Sequence, residues 1–256
     1  MMYVPYYFYY VVVQNIKFKI MKFAVIAAGL GQRLADEGVE VSKPLVKIDG
    51  EMLVDRLMRI FTNCGASEIV VICNEIYDDV KQHLVKMREE YDLPLTIISK
   101  TTASSMHSLH EISRYLRKEP FCLTTVDTIF KENAFSNYVK AFEEMTAAGT
   151  ADCLMGVTKF VDDEKPLYVD ADGEGNITAF CDDKQQCRYV SGGIYGLNPR
   201  AMQTLDECIE RGEKRMRNFQ RALLKDGLKV KAYEFDKVID VDHADDIKKA
   251  EDFLKE

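Results

Sequence analysis

The chain has 256 residues and a formal charge of −8, from 34 basic and 42 acidic side chains. Apolar residues make up 47% and charged residues 30%, enough for a core and enough to exclude general disorder. The acidic balance argues against a protein that coats nucleic acid, yet it leaves room for a small basic pocket that takes a phosphorylated ligand.

Tyr3 to Val13 is an aromatic and β-branched run of eleven residues. A bilayer span needs about 20 apolar residues, so stable membrane insertion is not expected. The run also lacks the basic lead and small-residue cleavage site of a secretory signal. Residues 1–20 are read as a non-catalytic extension, with a peripheral anchor as the competing reading, and Met21 opens the stretch MKFAVIAAGLG like a protein start. Phe23 to Ala28 reads as a short buried strand. Gly29 to Ser42 reads as a loop, Pro44 to Ile48 as extended, and Asp49-Gly50 as a turn. Leu53, Leu57 and Phe61 recur at helical spacing, with Gly65 as the stop. Ile69 to Cys73 is a second strand, Asp78 to Tyr91 an amphipathic helix, and Leu95 to Ile98 a third strand. Ser104 to Arg117 is a helix and Phe121 to Val126 a fourth strand.

This alternation predicts a parallel sheet with helices on both faces. Phe135 to Ala148 continues it as a helix. Beyond Gly149 the texture changes: Cys153–Phe160, Leu167–Asp170, Ile177–Cys181 and Tyr189–Leu197 are strand-like, with a hairpin at 172–176. Helices near 199–211 and 215–226 follow, then a strand from Leu228 to Phe235 and a closing helix from Ala244 to Leu254. The fold class is α/β, a mostly parallel central sheet flanked by helices with a small antiparallel insertion. Cys64, Cys73, Cys122, Cys153, Cys181, Cys187 and Cys208 occur singly, without a CxxC pair, which disfavours a zinc ribbon and suits a reducing, cytoplasmic compartment.

Strand one runs into Ala27-Ala28-Gly29-Leu30-Gly31-Gln32-Arg33. Small residues directly after a strand let the backbone approach a ligand and aim amide groups at phosphate oxygens. Arg33 adds a planar charged fork, and Lys43 a mobile point charge. The dinucleotide fingerprint fails because Leu34 stands at its third glycine, and no Walker lysine follows. Taken alone, the loop reads equally well as a tight turn with an exposed arginine.

The wider pattern is more specific. AAGLGQRL followed by KPLVKIDGEMLVDRLM, then LTTVDTIF (123–130), FCDDK (180–184), VSGGIYGL (190–197) and VIDVDHADDIKKAEDFL (238–254), resembles the sugar-1-phosphate nucleotidyltransferases over roughly 21–256. The resemblance extends to choline-phosphate cytidylyltransferase-like members through the serine-rich stretch 101–109. It implies a glycosyltransferase-A-like nucleotide-binding fold, one domain over 21–256 with a nucleotide half (21–130) and an acceptor half (131–256). It also implies transfer of a nucleotidyl group from a nucleoside triphosphate to a sugar-1-phosphate or phosphorylated alcohol, with Mg2+ and release of pyrophosphate. CTP with choline phosphate or inositol phosphate is the nearest variant.

By that resemblance, Asp127 and Asp240 are the metal-binding aspartates. Their alternatives are helix caps, and Asp242, Asp245 and Asp246 crowd Asp240. Arg33 and Lys43 hold the triphosphate. Ala27, Ala28, Gly29, Gly31 and Ser105 belong to the nucleotide site, with Ser105 as an alternative cap. Lys184 matches the lysine that binds the acceptor's phosphate, Asp183 the acid before it, and Gly193 the glycine beside the acceptor, otherwise a strand bulge. Two departures stand out: Gln32 where the family has threonine or serine, and His243-Ala244 where it has Thr-Pro. His107 and His110 are read as surface or cap residues rather than metal ligands. A non-catalytic nucleotide sensor and a nucleotide-sugar glycosyltransferase are the competing classes. The first predicts loss of Arg33, Lys43, Asp127 or Asp240, and the second an Asp-x-Asp motif where Val126-Asp127-Thr128 stands.

Overall fold

The computed structural model describes residues 21–162, 164–184 and 187–256. The reading of residues 1–20 lies outside them. Four parallel strands form one half of the sheet: β1 (Met21–Ala27), β4 (Ala66–Cys73), β5 (Leu95–Ser99) and β6 (Phe121–Thr125). Between them come helix α1 (Gln32–Asp36), the hairpin of β2 (Lys47–Ile48) and β3 (Glu51–Met52), and helices α2 (Leu53–Asn63), α3 (Asp78–Tyr91) and α4 (Ser105–Ile112). The chain continues as β7 (Thr128–Ile129), α5 (Glu132–Ala147), β8 (Cys153–Thr158), β9 (Tyr168–Ala171), β10 (Ile177–Cys181) and β11 (Tyr189–Leu197). It ends as α6 (Pro199–Glu210), α7 (Met216–Lys225), β12 (Val230–Phe235), β13 (Ile239–Asp240) and α8 (Ala244–Lys255).

The sheet runs β5-β4-β1-β6-β11-β8-β12, and β9 and β10 extend it from the first residues of β11. β12 is parallel to β8, and β11 is antiparallel to both β6 and β8. Only β11 therefore opposes the direction shared by the other six strands of that row. The antiparallel insertion is real, but it lies within the sheet as well as at its margin.

Alternation along β1 shows how the two faces are filled. Phe23, Val25 and Ala27 join one buried cluster with Leu57, Phe61 and Phe135, while Ala24, Ile26 and Ala28 join another with Met106, Leu109 and Leu205. Strands covered on both faces carry continuous apolar runs, which is why β1 and β4 are visible in the sequence.

Three local expectations need correction. Gly29 to Ser42 is not all loop, because α1 forms where Leu34 can bury itself (1% exposed). Pro44 to Ile48 begins with a 3-10 turn over Lys43–Leu45, since Pro44 fixes φ near the helical value. The helix expected over Ser104 to Arg117 ends at Ile112 and tightens into a 3-10 turn at Ser113–Tyr115, where the Ser113 hydroxyl donates to the His110 carbonyl at 2.8 Å.

Candidate active site

Parallel pairing ends β1, β4, β5 and β6 at one edge, with Ala27 level with Cys73 and Cys73 level with Ser99. Ligands of open α/β sheets sit beyond that carboxyl edge. Two short strands bring distant chain there. β13 pairs with β7, placing Asp240 opposite Thr128, and the Val241 amide donates to the Asp127 carbonyl at 3.0 Å. The register of β11 breaks between Ser191 and Ile194, so Gly192-Gly193 bulges at the same edge.

Two cavities open there. The first, about 520 Å³, lies between the glycine loop and residues 101–105, and Ala27, Ala28, Gly29, Gly31, Ser104 and Ser105 line it. The second, about 590 Å³, is walled by Thr158, Ser191, Gly192, Val238 and Asp240. Arg33 and Asp242 line both, so the two are lobes of one cleft that meet at this pair.

Lys43 occupies the centre of the junction. Its ammonium donates to Asp127 and, at 2.6 Å, to Asp242, while Arg33 Nη1 donates to the other oxygen of Asp242 at 2.9 Å. Burial opposes the Lys43 charge, but Asp127 and Asp242 outweigh it and hold the ammonium well above its ordinary range. Asp240 accepts from the Thr128 hydroxyl at 3.1 Å. Crowding by the protein around the junction, and then the neighbouring Asp127 carboxylate, push the Asp240 carboxyl up, an effect tempered by the solvent exposure of this residue.

The structure separates the site readings from the capping ones. Lys131, not Asp127, stands at the N-cap of α5. The α8 cap is a box of His243 and Asp246, reinforced by Glu37, whose oxygens accept from the Ala244 amide and meet the His243 ring, both at 2.6 Å. Asp240 and Asp242 are thereby left for the cleft. Ser104 caps α4 by accepting from the His107 amide, which leaves Ser105 at the cavity wall. His107 meets Ser104, and His110 faces Asp206. Among the described residues no group of three or more metal-ligating side chains occurs.

Gly31 has φ +62°, and a Cβ there would meet the Lys43 Cβ at 2.9 Å, so this glycine lets Lys43 pass close to the loop. A Cβ on Gly29 would meet nothing within 4 Å, which leaves the cavity side of the loop open. Gln32, the departure from the family pattern, donates to Asp36 at 2.6 Å while still lining the first cavity. Gly193 backs onto Thr128, and it is Gly192 that lines the second cavity. Asp183 and Lys184 are not at the junction. They stand after β10 in a separate cavity that shares only Glu164 and Pro166 with the second lobe.

Two contributors were not legible as site residues. Asp242 was visible only as one of several acids. Asn74, buried after β4, donates to the Ala28 carbonyl at 3.0 Å and accepts from the Thr101 hydroxyl at 2.8 Å, so it ties the glycine loop to the serine-rich segment.

Residues 22–256 match the family model described as Nucleotidyl transferase. Over 108 residues the chain is 27% identical to the glucose-1-phosphate cytidylyltransferase of Salmonella typhimurium, a stretch covering 42% of this chain and 39% of that protein. That match thus spans about two fifths of the curated relative's length. Among solved structures, the inositol-1-phosphate CTP transferase from T. maritima superposes with a TM-score of 0.74 at 20% identity, covering 93% of this chain and 97% of the other. A UDP-glucose pyrophosphorylase complexed with UDP-glucose gives 0.73 at 15% identity, covering 92% and 98%. These likenesses bear out the expected fold class.

Proposed function

Because the chain belongs to the nucleotidyl transferase family, we propose that it transfers a nucleotidyl group from a nucleoside triphosphate to a sugar-1-phosphate or related phosphorylated alcohol. The observation that carries this reading is the junction itself: two cations and at least two carboxylates where the lobe beside the glycine loop meets a second lobe. A sensor that had lost its chemistry would not keep all of these groups.

The reaction joins two anions, so charge neutralisation and alignment matter more than a strong base. A phosphate oxygen of the acceptor forms a bond to the α-phosphorus as the α–β bridging bond breaks, and pyrophosphate leaves. Arg33 and Lys43 neutralise the triphosphate and the departing pyrophosphate. Both cations now engage Asp242, so the triphosphate must compete with that carboxylate. Asn74 and Ser105 hold the outer wall of the nucleotide lobe.

Hard oxygen donors at the junction suit Mg2+, which needs only one or two carboxylates and fills its octahedron with water and phosphate oxygens. The Lys43 ammonium already sits as a cation between Asp127 and Asp242, and Asp240 lies beside Asp127. Asp127 and Asp240 would hold the ion, which when bound would neutralise the α-phosphate and orient the attack.

CTP is the donor this reading favours, supported by the names of two relatives, a cytidylyltransferase and a CTP transferase. The test is a pyrophosphate-release assay that crosses CTP, UTP, dTTP, GTP and ATP with sugar-1-phosphates, inositol phosphate and choline phosphate, with and without magnesium. Magnesium-dependent release with CTP and one acceptor is expected. Silence from folded protein across the panel overturns the reading.

A further inference from the structure

The cavity that contains Lys184 does not belong to the cleft junction. It encloses about 670 Å³ between the loop after β10 and the start of α7. Among its described lining residues are five basic side chains (Lys165, Lys184, Arg215, Arg217 and Arg221) against three acidic ones, in a chain whose net charge is −8. Asp182 serves two guanidiniums at once, accepting from Arg217 at 2.7 Å and Arg221 at 2.8 Å. The side chains of Arg215 and Lys184 make no hydrogen bond or ion pair among the described residues.

This concentration of charge has a cost. Arg215 and Arg217 flank the first turn of α7, which carries no acid, so these two oppose the helix dipole, and Arg221 adds a third guanidinium one turn on. The three acids are outnumbered by the five bases, so an added anion would complete the balance, and guanidinium forks match phosphate and carboxylate geometry. The cavity shares Glu164 and Pro166 with the acceptor lobe and no residue with the nucleotide lobe.

We propose that this cavity takes a second anionic group of the acceptor, so that the substrate carries a phosphate or carboxylate besides the phosphate that reacts. The proposal rests on the nucleotidyltransferase reading for the identity of the ligand as acceptor. It also moves Lys184 from the reacting phosphate to the remote one, beside Arg215, Arg217 and Arg221.

The test uses glucose 1-phosphate and glucose 1,6-bisphosphate, a pair that differs by one phosphate, on the full chain. Calorimetric titration without nucleotide is expected to show at least about tenfold tighter binding of the bisphosphate. Arg215→Gln, which removes a guanidinium that holds nothing else, is expected to erase most of that preference and leave the melting temperature unchanged. Arg217→Gln serves as the second variant. In turnover with CTP, Arg215→Gln should raise KM for the bisphosphate several-fold at constant kcat, with the monophosphate unaffected. Equal binding of the two sugars by the wild type overturns the proposal, as does an equal effect of Arg215→Gln on both. Retained preference for the bisphosphate with silence across the full nucleotide and acceptor panel leaves the anion site standing and overturns the nucleotidyltransferase reading instead.

Discussion

Lys43 connects the glycine loop, the end of β6 and the segment after β13 through single atoms, and its surroundings set what each neighbour can do. Asp127 reaches it from the strand end, and Asp242 bridges it to Arg33. Asp127→Asn keeps one acceptor oxygen and removes the charge, so the fold should survive while turnover falls at least about 100-fold in a magnesium-dependent assay. Wild-type turnover in that variant would remove Asp127 from the chemistry. Gly193 offers a second check through geometry alone. Its φ of +68° already penalises a side chain, and a Cβ would meet the Thr128 hydroxyl oxygen at 2.8 Å. Thr128 holds Asp240, so Gly193→Ala should cost about 1–3 kcal/mol of stability and a larger share of activity. A variant with wild-type denaturation midpoint and turnover would show that the bulge tolerates a methyl group. At this scale the sequence disclosed residue types but not partners. Four acids crowd 240–246 and all line the second lobe, and only the capping geometry of α8 sets Asp246 apart from the others. Asn74 was hidden because a single polar residue after a strand looks like any loop residue.

Elements were legible where burial is two-sided or periodicity is long. β1, β4, α3 and α5 carry runs that few other structures accommodate. β11 was legible as a strand, but not as the antiparallel strand between β6 and β8, because period and composition carry no information about neighbours. The short ribbon of β7 and β13 was invisible for a related reason: two residues are too few for a pattern, yet this pairing delivers Asp240 and Asp242. One carboxylate fastens a comparable junction on the other side of the molecule. Asp152, just before β8, accepts from the Lys229 amide at 2.9 Å, from Asn198 at 2.8 Å and from Arg200 at 3.1 Å. Burial works to raise its carboxyl, but these partners prevail and lower it from 3.8. A depressed folded value contributes stability above the unfolded value and loses it as pH falls through the folded one. Asp152→Asn is therefore expected to destabilise the protein by about 1–3 kcal/mol at neutral pH. The deficit should shrink as pH falls below the ordinary carboxylate value of 3.8 and the linkage contribution is progressively lost. Urea titrations of both proteins at pH 7 and pH 3 decide this, and an undiminished deficit in acid would refute it.

At the scale of the molecule, the nucleotide and acceptor halves read from the sequence share a single sheet. β6 ends the first half, and β11 from the second covers its edge, while both apolar clusters draw residues from before and after residue 130. A fragment ending at residue 130 would expose the edge of β6 together with the apolar faces that α5, α6 and α7 cover, a combination that favours aggregation over folding. Such a fragment is expected to be insoluble or unfolded, and the full chain to melt in one cooperative transition. The cleft adds a further condition, since Arg33 and Asp242 line both lobes and the elements around them come from both ends of the chain. Ligand bound there stabilises the whole sheet rather than one half. With CTP and magnesium at about 100 times the dissociation constant, linkage supplies about 2.7 kcal/mol, which for a chain of this size raises the melting temperature by roughly 5–10 °C. Calorimetry should show that entire transition moving upward as one. A split into two transitions, with only one shifted by nucleotide, would mean that the halves unfold separately and that the junction at Arg33 and Asp242 does not couple them.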